Sequence, residues 1–265
     1  ARTPNPCIEC NRHIKFDRLL ERATRLGFDA LATGHHARIV AIGTGHELRR
    51  GADPEKDQSY VLSMLGQREL ARVLLPIGEM TKRGVRARAT ELGLRTAAKP
   101  DSQDVCFIRS DEGRARFLGD RLALHPARVV DASSGEQVGT VDALELVTVG
   151  QRRGFAHGAD GSRRYVSSVD PTKRTVFVGT SAQVAAHSIA LVPSSVTWTE
   201  HGLSGGDRAV AQTSAHGSPS PCTFTDGDRA RLDFDEPIRP VAPGQTVALY
   251  AAADPDRVVG SGTAA

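Results

Sequence analysis

The feature that most constrains the fold is a change of hydrophobic rhythm near Arg128. Before it, Ile14, Leu19, Leu20, Ala23 and Leu26 recur near helical spacing, with Asn11 placed as N-cap and Gly27 as the stop. The run Ala30-Leu31-Ala32-Thr33 then leads into Gly34-His35-His36, the pattern of a buried strand delivering a loop to one edge of a sheet. Tyr60 to Leu65 and Val85 to Leu92 continue as helix, and Gln67 to Leu75 is ambiguous between them. Helix, strand and loop in this alternation predict an α/β region up to about residue 110.

Beyond Arg128 the texture is short β-branched runs separated by turn residues. Val129-Val130, Val147-Thr148-Val149, Tyr165-Val166 and Val176-Phe177-Val178 form one series, with Ser134-Gly135 and Asp170-Pro171 between. A second series, from Ile189 to Val192, Val196 to Trp198, Ala209-Val210, Ala230 to Phe234 and Gln245 to Tyr250, predicts a small barrel or sandwich, with a hairpin tip at Ser214 to Pro221. The expected fold class is α/β, then a small β-rich central domain, then a C-terminal β-barrel, with boundaries at 1–115, 116–183 and 184–265. A chain of 265 residues has room for this, at a prior of about 150 residues per domain.

Several classes are excluded. No run of about 18 apolar residues exists to span a membrane, and the N-terminus lacks the apolar core of a secretory signal, so a cytoplasmic location is expected. Four cysteines are too few for a disulfide framework at this length, which makes them reduced thiols by default. The net charge is only +3, but it is unevenly spread: residues 1–185 hold 29 Lys and Arg against 22 Asp and Glu, and the remainder holds 5 against 9. That split fits a polyanion on one side of the molecule, or a solvated surface.

Residues with chemistry cluster in a few places. Cys7 and Cys10 form Cys-x-x-Cys directly before the expected helix N-terminus, where unpaired amides and the macrodipole stabilise a thiolate. Half a zinc site, completed by His35-His36 or Cys106, and inert packing are the alternatives. Cys106 follows the polar loop Lys99-Pro100-Asp101-Ser102-Gln103-Asp104 and opens a short apolar run, so it is either presented to a partner thiol or buried in a strand. Gly34 ends a strand where nucleotides approach backbone in open α/β sheets. Lys56-Asp57-Gln58-Ser59-Tyr60 can contact phosphate and base edges, or simply cap a helix. Arg152-Arg153 and Arg163-Arg164 are candidates for RNA phosphates. No Walker loop and no His-Glu-x-x-His occur, and Ser204-Gly205-Gly206-Asp207 has the wrong spacing and sequel for a pyrophosphatase loop.

Six blocks in order then resemble the tRNA-specific 2-thiouridylases: Thr3-Pro4-Asn5-Pro6-Cys7-x-x-Cys10-Asn11 with Ile14-Lys15-Phe16; Ala32-Thr33-Gly34-His35; Lys56-Asp57-Gln58-Ser59-Tyr60; Ser102-Gln103-Asp104-Val105-Cys106-Phe107; Gly150-Gln151-Arg152-Arg153-Gly154; and Pro243-Gly244-Gln245. The resemblance implies ATP-dependent sulfuration of the wobble uridine of tRNA, with ATP (and Mg2+) as co-substrate and no tightly bound cofactor or metal. It implies a persulfide on Cys106, with Cys10 as the nucleophile that frees the sulfur or closes a disulfide with Cys106. Asn5, Pro6 and Cys7 would line the target base and Gly34 would touch ATP. His35, Lys56, Asp57, Gln58 and Gln245 would contact tRNA, and a persulfide donor protein would load the sulfur. The family's Ser-Gly-Gly-x-Asp-Ser loop is expected upstream of Ala1, in a missing N-terminal segment, so this chain alone is expected not to adenylate. The stretch from Arg208 to Thr213 is nearly apolar where the family offers an arginine to tRNA. A non-catalytic RNA-binding remnant is the rival reading, and the retained cysteines speak against it.

Overall fold

The computed structural model describes residues 2–99, 105–108, 113–158, 161–199, 201–228 and 230–265. The first helix starts earlier than its apolar spacing predicts. Asn5, extended at φ −84° and ψ 111°, is the N-cap: its Oδ1 accepts from the Cys7 and Ile8 amides, and Pro6 occupies the first helical position. From there helix runs without a break through α1 (Pro6–Cys10), a π-wound stretch (Asn11–Leu19) and α2 (Leu20–Arg25). The wider i→i+5 winding sets which face is buried. Asn11, Phe16 and Leu20, spaced by five and four, point inward, whereas Ile14 is 58% exposed and Leu19 46%. Asn11 is thus an interior residue, donating Nδ2 to the Val61 carbonyl at 2.9 Å, rather than the cap.

Strand β1 (Leu31–Ala32) pairs in parallel with β4 (Val73–Leu74). It is not the buried strand expected: Leu31 is half-buried and Ala32 exposed. Between them lie a hairpin and two short helices. Strands β2 (Ala37–Ile42) and β3 (Gly45–Arg50) are joined by the two residues Gly43-Thr44, and Gly43 supplies the positive φ of +57° that such a tight connection needs. Helices α3 (Ser59–Leu62) and α4 (Gln67–Leu70) follow, and α5 (Lys82–Glu91) lies after β4, N-capped by Thr81.

After α6 (Gly113–Gly119) the middle of the chain forms a four-stranded sheet ordered β6-β5-β8-β7, from β5 (Ala127–Asp131), β6 (Gln137–Val141), β7 (Tyr165–Asp170) and β8 (Thr175–Gly179). Val147 to Val149, expected as a strand, is irregular, although Val147 and Val149 still pack on the Val129, Val166, Val176 and Val178 core.

The last strands are β9 (Ala186–Ala190), β10 (Thr197–Trp198), β11 (Arg208–Gln212), β12 (Ser220–Thr225), β13 (Arg231–Ile238), β14 (Thr246–Ala251) and β15 (Asp254–Thr263). They do not form a sheet of their own. The order β2-β3-β15-β14-β11-β12-β13-β9, with β10 on β15, joins the early hairpin to the late strands through Arg49↔Arg257 and Leu48↔Val258. The core follows that junction: Ile8, Phe16, Leu48, Tyr60, Leu62 and Leu65 pack in one cluster with Ala248, Tyr250 and Val258. Contacts divide the chain into two compact units. One comprises Pro4–Asp101, Ser188–Asp235 and Gln245–Ala265; the other comprises Ser102–His187 and Glu236–Gly244 with Ala1–Thr3.

Candidate thiol and RNA-contact site

Cys7 and Cys10 sit one helical turn apart in α1, Cys7 exposed and Cys10 half-buried. They lie inside the helix rather than ahead of it. The amides expected to face a thiolate are taken: Asn5 Oδ1 accepts from Cys7 and Ile8, and the Asn5 carbonyl accepts from Ile8 and Glu9, both at 3.1 Å. Asn5 therefore shapes the turn that presents both thiols, with Pro6 exposed beside it.

Cys106 is exposed in a turn closed by Ile108 N donating to the Val105 carbonyl at 3.1 Å, not buried in a strand. The preceding Ser102-Gln103-Asp104 lies outside the described residues. Cys10 and Cys106 belong to different compact units, and none of the four cysteines is in a disulfide. Cys222 is of another kind: fully buried in β12, its thiol is pushed up to about 12 by desolvation. Among the described residues no group of three or more His, Cys, Asp or Glu is arranged to hold a metal ion, so the half zinc site gains no completing ligands there.

Gly34, two residues beyond β1, is exposed, and a Cβ there would meet only Ile77 Cδ1 at 3.9 Å. The neighbouring His35 is interior, at 7% exposure, with its ring 5.8 Å from that of Phe16. Burial, with Lys15 and His36 nearby, lowers its pKa to about 4, so the ring is neutral at pH 7. Lys15 Nζ lies 3.5 Å from Nε2 and Thr33 Oγ1 lies 2.8 Å from Nδ1. An ammonium can only donate, so Nε2 is the acceptor and Nδ1 carries the proton toward Thr33. His35 thus orients Lys15, a half-buried cation that reasoning from spacing passed over.

The Lys56 to Tyr60 block is built inward. Asp57 accepts from Gly51 N at 2.9 Å, Ser59 N at 3.1 Å, Ser59 Oγ at 2.7 Å and Arg50 at 2.8 Å. Arg50 in turn lies 3.9 Å over the Tyr250 ring, whose hydroxyl is 3.0 Å from Ser59 Oγ. Gln58 Oε1 accepts from His36 N at 2.9 Å and the Gln58 backbone N–H donates to the His36 carbonyl at 2.8 Å, tying this loop to the one carrying Gly34. Lys56 is half-buried beside them. Gln245, half-buried just before β14, takes the Ala264 amide on its carbonyl. A cleft of about 230 Å³ flanks the continuation of the cysteine-bearing helix, lined by basic (Arg12, Arg68, Arg72) and acidic (Asp17, Glu21, Glu69) side chains together with Phe16 and Met64.

Three family models match the chain in sequence: the tRNA methyl transferase HUP domain over residues 1–110, the tRNA methyl transferase PRC-barrel domain over 115–180 and the aminomethyltransferase beta-barrel domain over 189–264. The tRNA-specific 2-thiouridylase MnmA of Acidothermus cellulolyticus is 44% identical over 269 residues, covering 100% of this chain and 72% of that protein. The chain belongs to the tRNA-specific 2-thiouridylase family. The namesake proteins of Salinispora arenicola and Streptomyces avermitilis are also 44% identical, over 100% of this chain and 74% and 70% of theirs. As a tRNA-specific 2-thiouridylase family member the protein is an enzyme of the sulfurtransferase class, and the α/β part, β-rich centre and C-terminal β-barrel stand in the expected order. Among the described residues no helix is long and apolar enough to cross a membrane.

Proposed function

We propose that the protein carries out ATP-dependent 2-thiolation of the wobble uridine of tRNA, in the cytoplasm. The uracil C2 oxygen attacks the α-phosphorus of ATP and expels pyrophosphate, leaving C2 bonded to an adenylate leaving group. Cys106 holds the sulfur as a persulfide delivered by a donor protein. The Cys10 thiolate attacks Cys106 Sγ, forms the Cys10–Cys106 disulfide and releases hydrosulfide, which adds to C2 as AMP departs. A dithiol reductant then reopens the disulfide.

The observation that carries this reading is the sorting of the thiols. Cys222 is sealed in the core, whereas Cys10 and Cys106 are free and reachable on irregular or helical surface. Membership of the family and the HUP-domain match support tRNA and ATP as substrates. In this reading Asn5, Pro6 and Cys7 border the target base and the bare backbone at Gly34 faces ATP, with Mg2+ as its counterion. Lys56 and Gln245 touch tRNA, while His35, Asp57 and Gln58 act on the RNA surface through the groups and loops they hold, Lys15 among them.

The test supplies protein, tRNA, ATP and a persulfide donor and measures 2-thiouridine by mass spectrometry of digested tRNA. Product is expected when these residues act together with an adenylating ATP loop, and loss of at least about 100-fold is expected when Cys10→Ser or Cys106→Ser is introduced there. Trapped before tRNA is added, Cys106 should carry an extra mass of about 32 Da, one sulfur atom. Unimpaired thiolation by Cys106→Ser would overturn the assignment.

A further inference from the structure

Immediately after Cys106 the chain exposes an aromatic ring: Phe107 is 50% exposed in the same turn. Its inner side meets Phe117 of α6, ring centroids 5.3 Å apart and tilted by 43°. The Arg121 guanidinium lies 3.8 Å over the Phe117 ring and donates to the Phe117 carbonyl at 2.7 Å, which locks the far end of the stack. Arg121 thus lies over Phe117, whose ring meets that of Phe107 at a tilt, and half of the Phe107 surface stays exposed. Nothing in α6 is buried, and the helix carries Arg114 and Arg116 outward. A hydrophobic core has no use for such an element, because its aromatic surface is held at the solvent boundary beside the exposed Arg114 and Arg116.

We propose that Phe107, backed by Phe117 and Arg121, is a stacking platform for an unpaired base of the tRNA beside Cys106, with the α6 arginines facing its phosphates. Aromatic faces stack on any base and arginines neutralise backbone, so the platform holds the RNA where sulfur leaves Cys106 without reading sequence. The contact with Phe117 lowers the cost of binding, since it restricts the Phe107 ring before RNA arrives. The proposal rests on the thiouridylase reading and adds the site by which RNA is held near the sulfur.

The experiment measures tRNA affinity at one fixed salt concentration by fluorescence anisotropy, using unaltered protein and Phe107→Ala, Phe107→Leu and Phe107→Trp. Phe107→Ala and Phe107→Leu should both weaken binding by about 5- to 100-fold, and Phe107→Trp should hold or tighten it. Arg116→Gln should lower the slope of log K against log salt by about one, an effect the Phe107 variants lack. Circular dichroism and melting of each variant separate stacking from misfolding, and Phe107→Trp keeps the question open to measurement if the smaller side chains unfold the turn. Phe107→Leu binding tRNA as tightly as unaltered protein would overturn the platform. If that variant also took up sulfur from the persulfide donor more slowly, the ring would belong to a protein interface instead. Failure of the unaltered protein to bind tRNA at all would sink the thiouridylase reading, a different result.

Discussion

The two surfaces of His35 explain why a histidine can matter at a functional loop while staying out of solvent. Its ring is neutral because burial opposes the charge, and neutrality is what lets Nε2 accept from Lys15. A stability consequence follows from the sign of the shift. Above pH 6.5 folded and unfolded chains both hold the ring neutral. As pH falls from 6.5 toward about 4, the unfolded chain binds a proton that the folded chain refuses, so stability drops, by about 3 kcal/mol when complete. His35→Gln should flatten the acid limb of stability over that window in urea titrations. An unchanged limb would show that the ring is already protonated in the fold. The thiols make a second residue-scale case: in native protein at pH 8, iodoacetamide should modify Cys7, Cys10 and Cys106 and spare Cys222 until denaturant is added, as peptide mapping would show. Asn5 separates shape from chemistry. Asn5→Ala should cost about 1 kcal/mol through the lost cap, and Asn5→Asp should keep that stability. Thiolation lost equally in both would mean that the amide itself meets the base.

Elements were legible where rhythm and chemistry agreed. The strands at Val129-Val130, Tyr165-Val166, Val176 to Val178 and Tyr250 carry β-branched or aromatic runs and were read correctly. The first helix was recognised but its face was not, because a period of 3.6 cannot anticipate π winding that buries Asn11 and Phe16 in place of Ile14. The hairpin β2–β3 lies outside the expected elements although Arg38-Ile39-Val40-Ala41-Ile42 runs into Gly43-Thr44-Gly45, a usable turn signal. The Lys56 to Tyr60 block was visible as a helix opening, but its decisive partner Tyr250 lies 191 positions from Ser59, beyond any local pattern. Asp57 gives this element its test. Removing the carboxylate leaves the largely buried Arg50 guanidinium uncompensated, so Asp57→Ala should cost about 3 kcal/mol by chemical denaturation. Its tRNA affinity, measured well below the denaturation midpoint, should fall far less than that of Lys56→Ala. A larger loss for Asp57→Ala with unchanged stability would make the carboxylate a direct RNA contact.

At the scale of the whole molecule, the early hairpin and the late strands are one structure despite being separated by the β-rich middle of the chain. Leu48 pairs with Val258 in the sheet and shares the core of Tyr60, Ala248 and Tyr250, so neither segment can bury its apolar face without the other. The middle strands close on a separate core around Val129, Val166 and Val176. Cooperativity should follow cores rather than chain order, because amides exchange by the opening that exposes the apolar surface supporting them. Native-state hydrogen exchange should therefore give β2 and β3 the same opening free energy as β14 and β15, with β5 to β8 in a distinct class. Tyr250→Ala, which empties a fully buried site, should lower the first class by about 3 to 5 kcal/mol and leave the second near its starting value. If β2 and β3 instead opened independently of β15 and ignored Tyr250→Ala, the hairpin would be an appendage. The loops it steadies, at Gly34 and Lys56, would then have to draw their rigidity from another source.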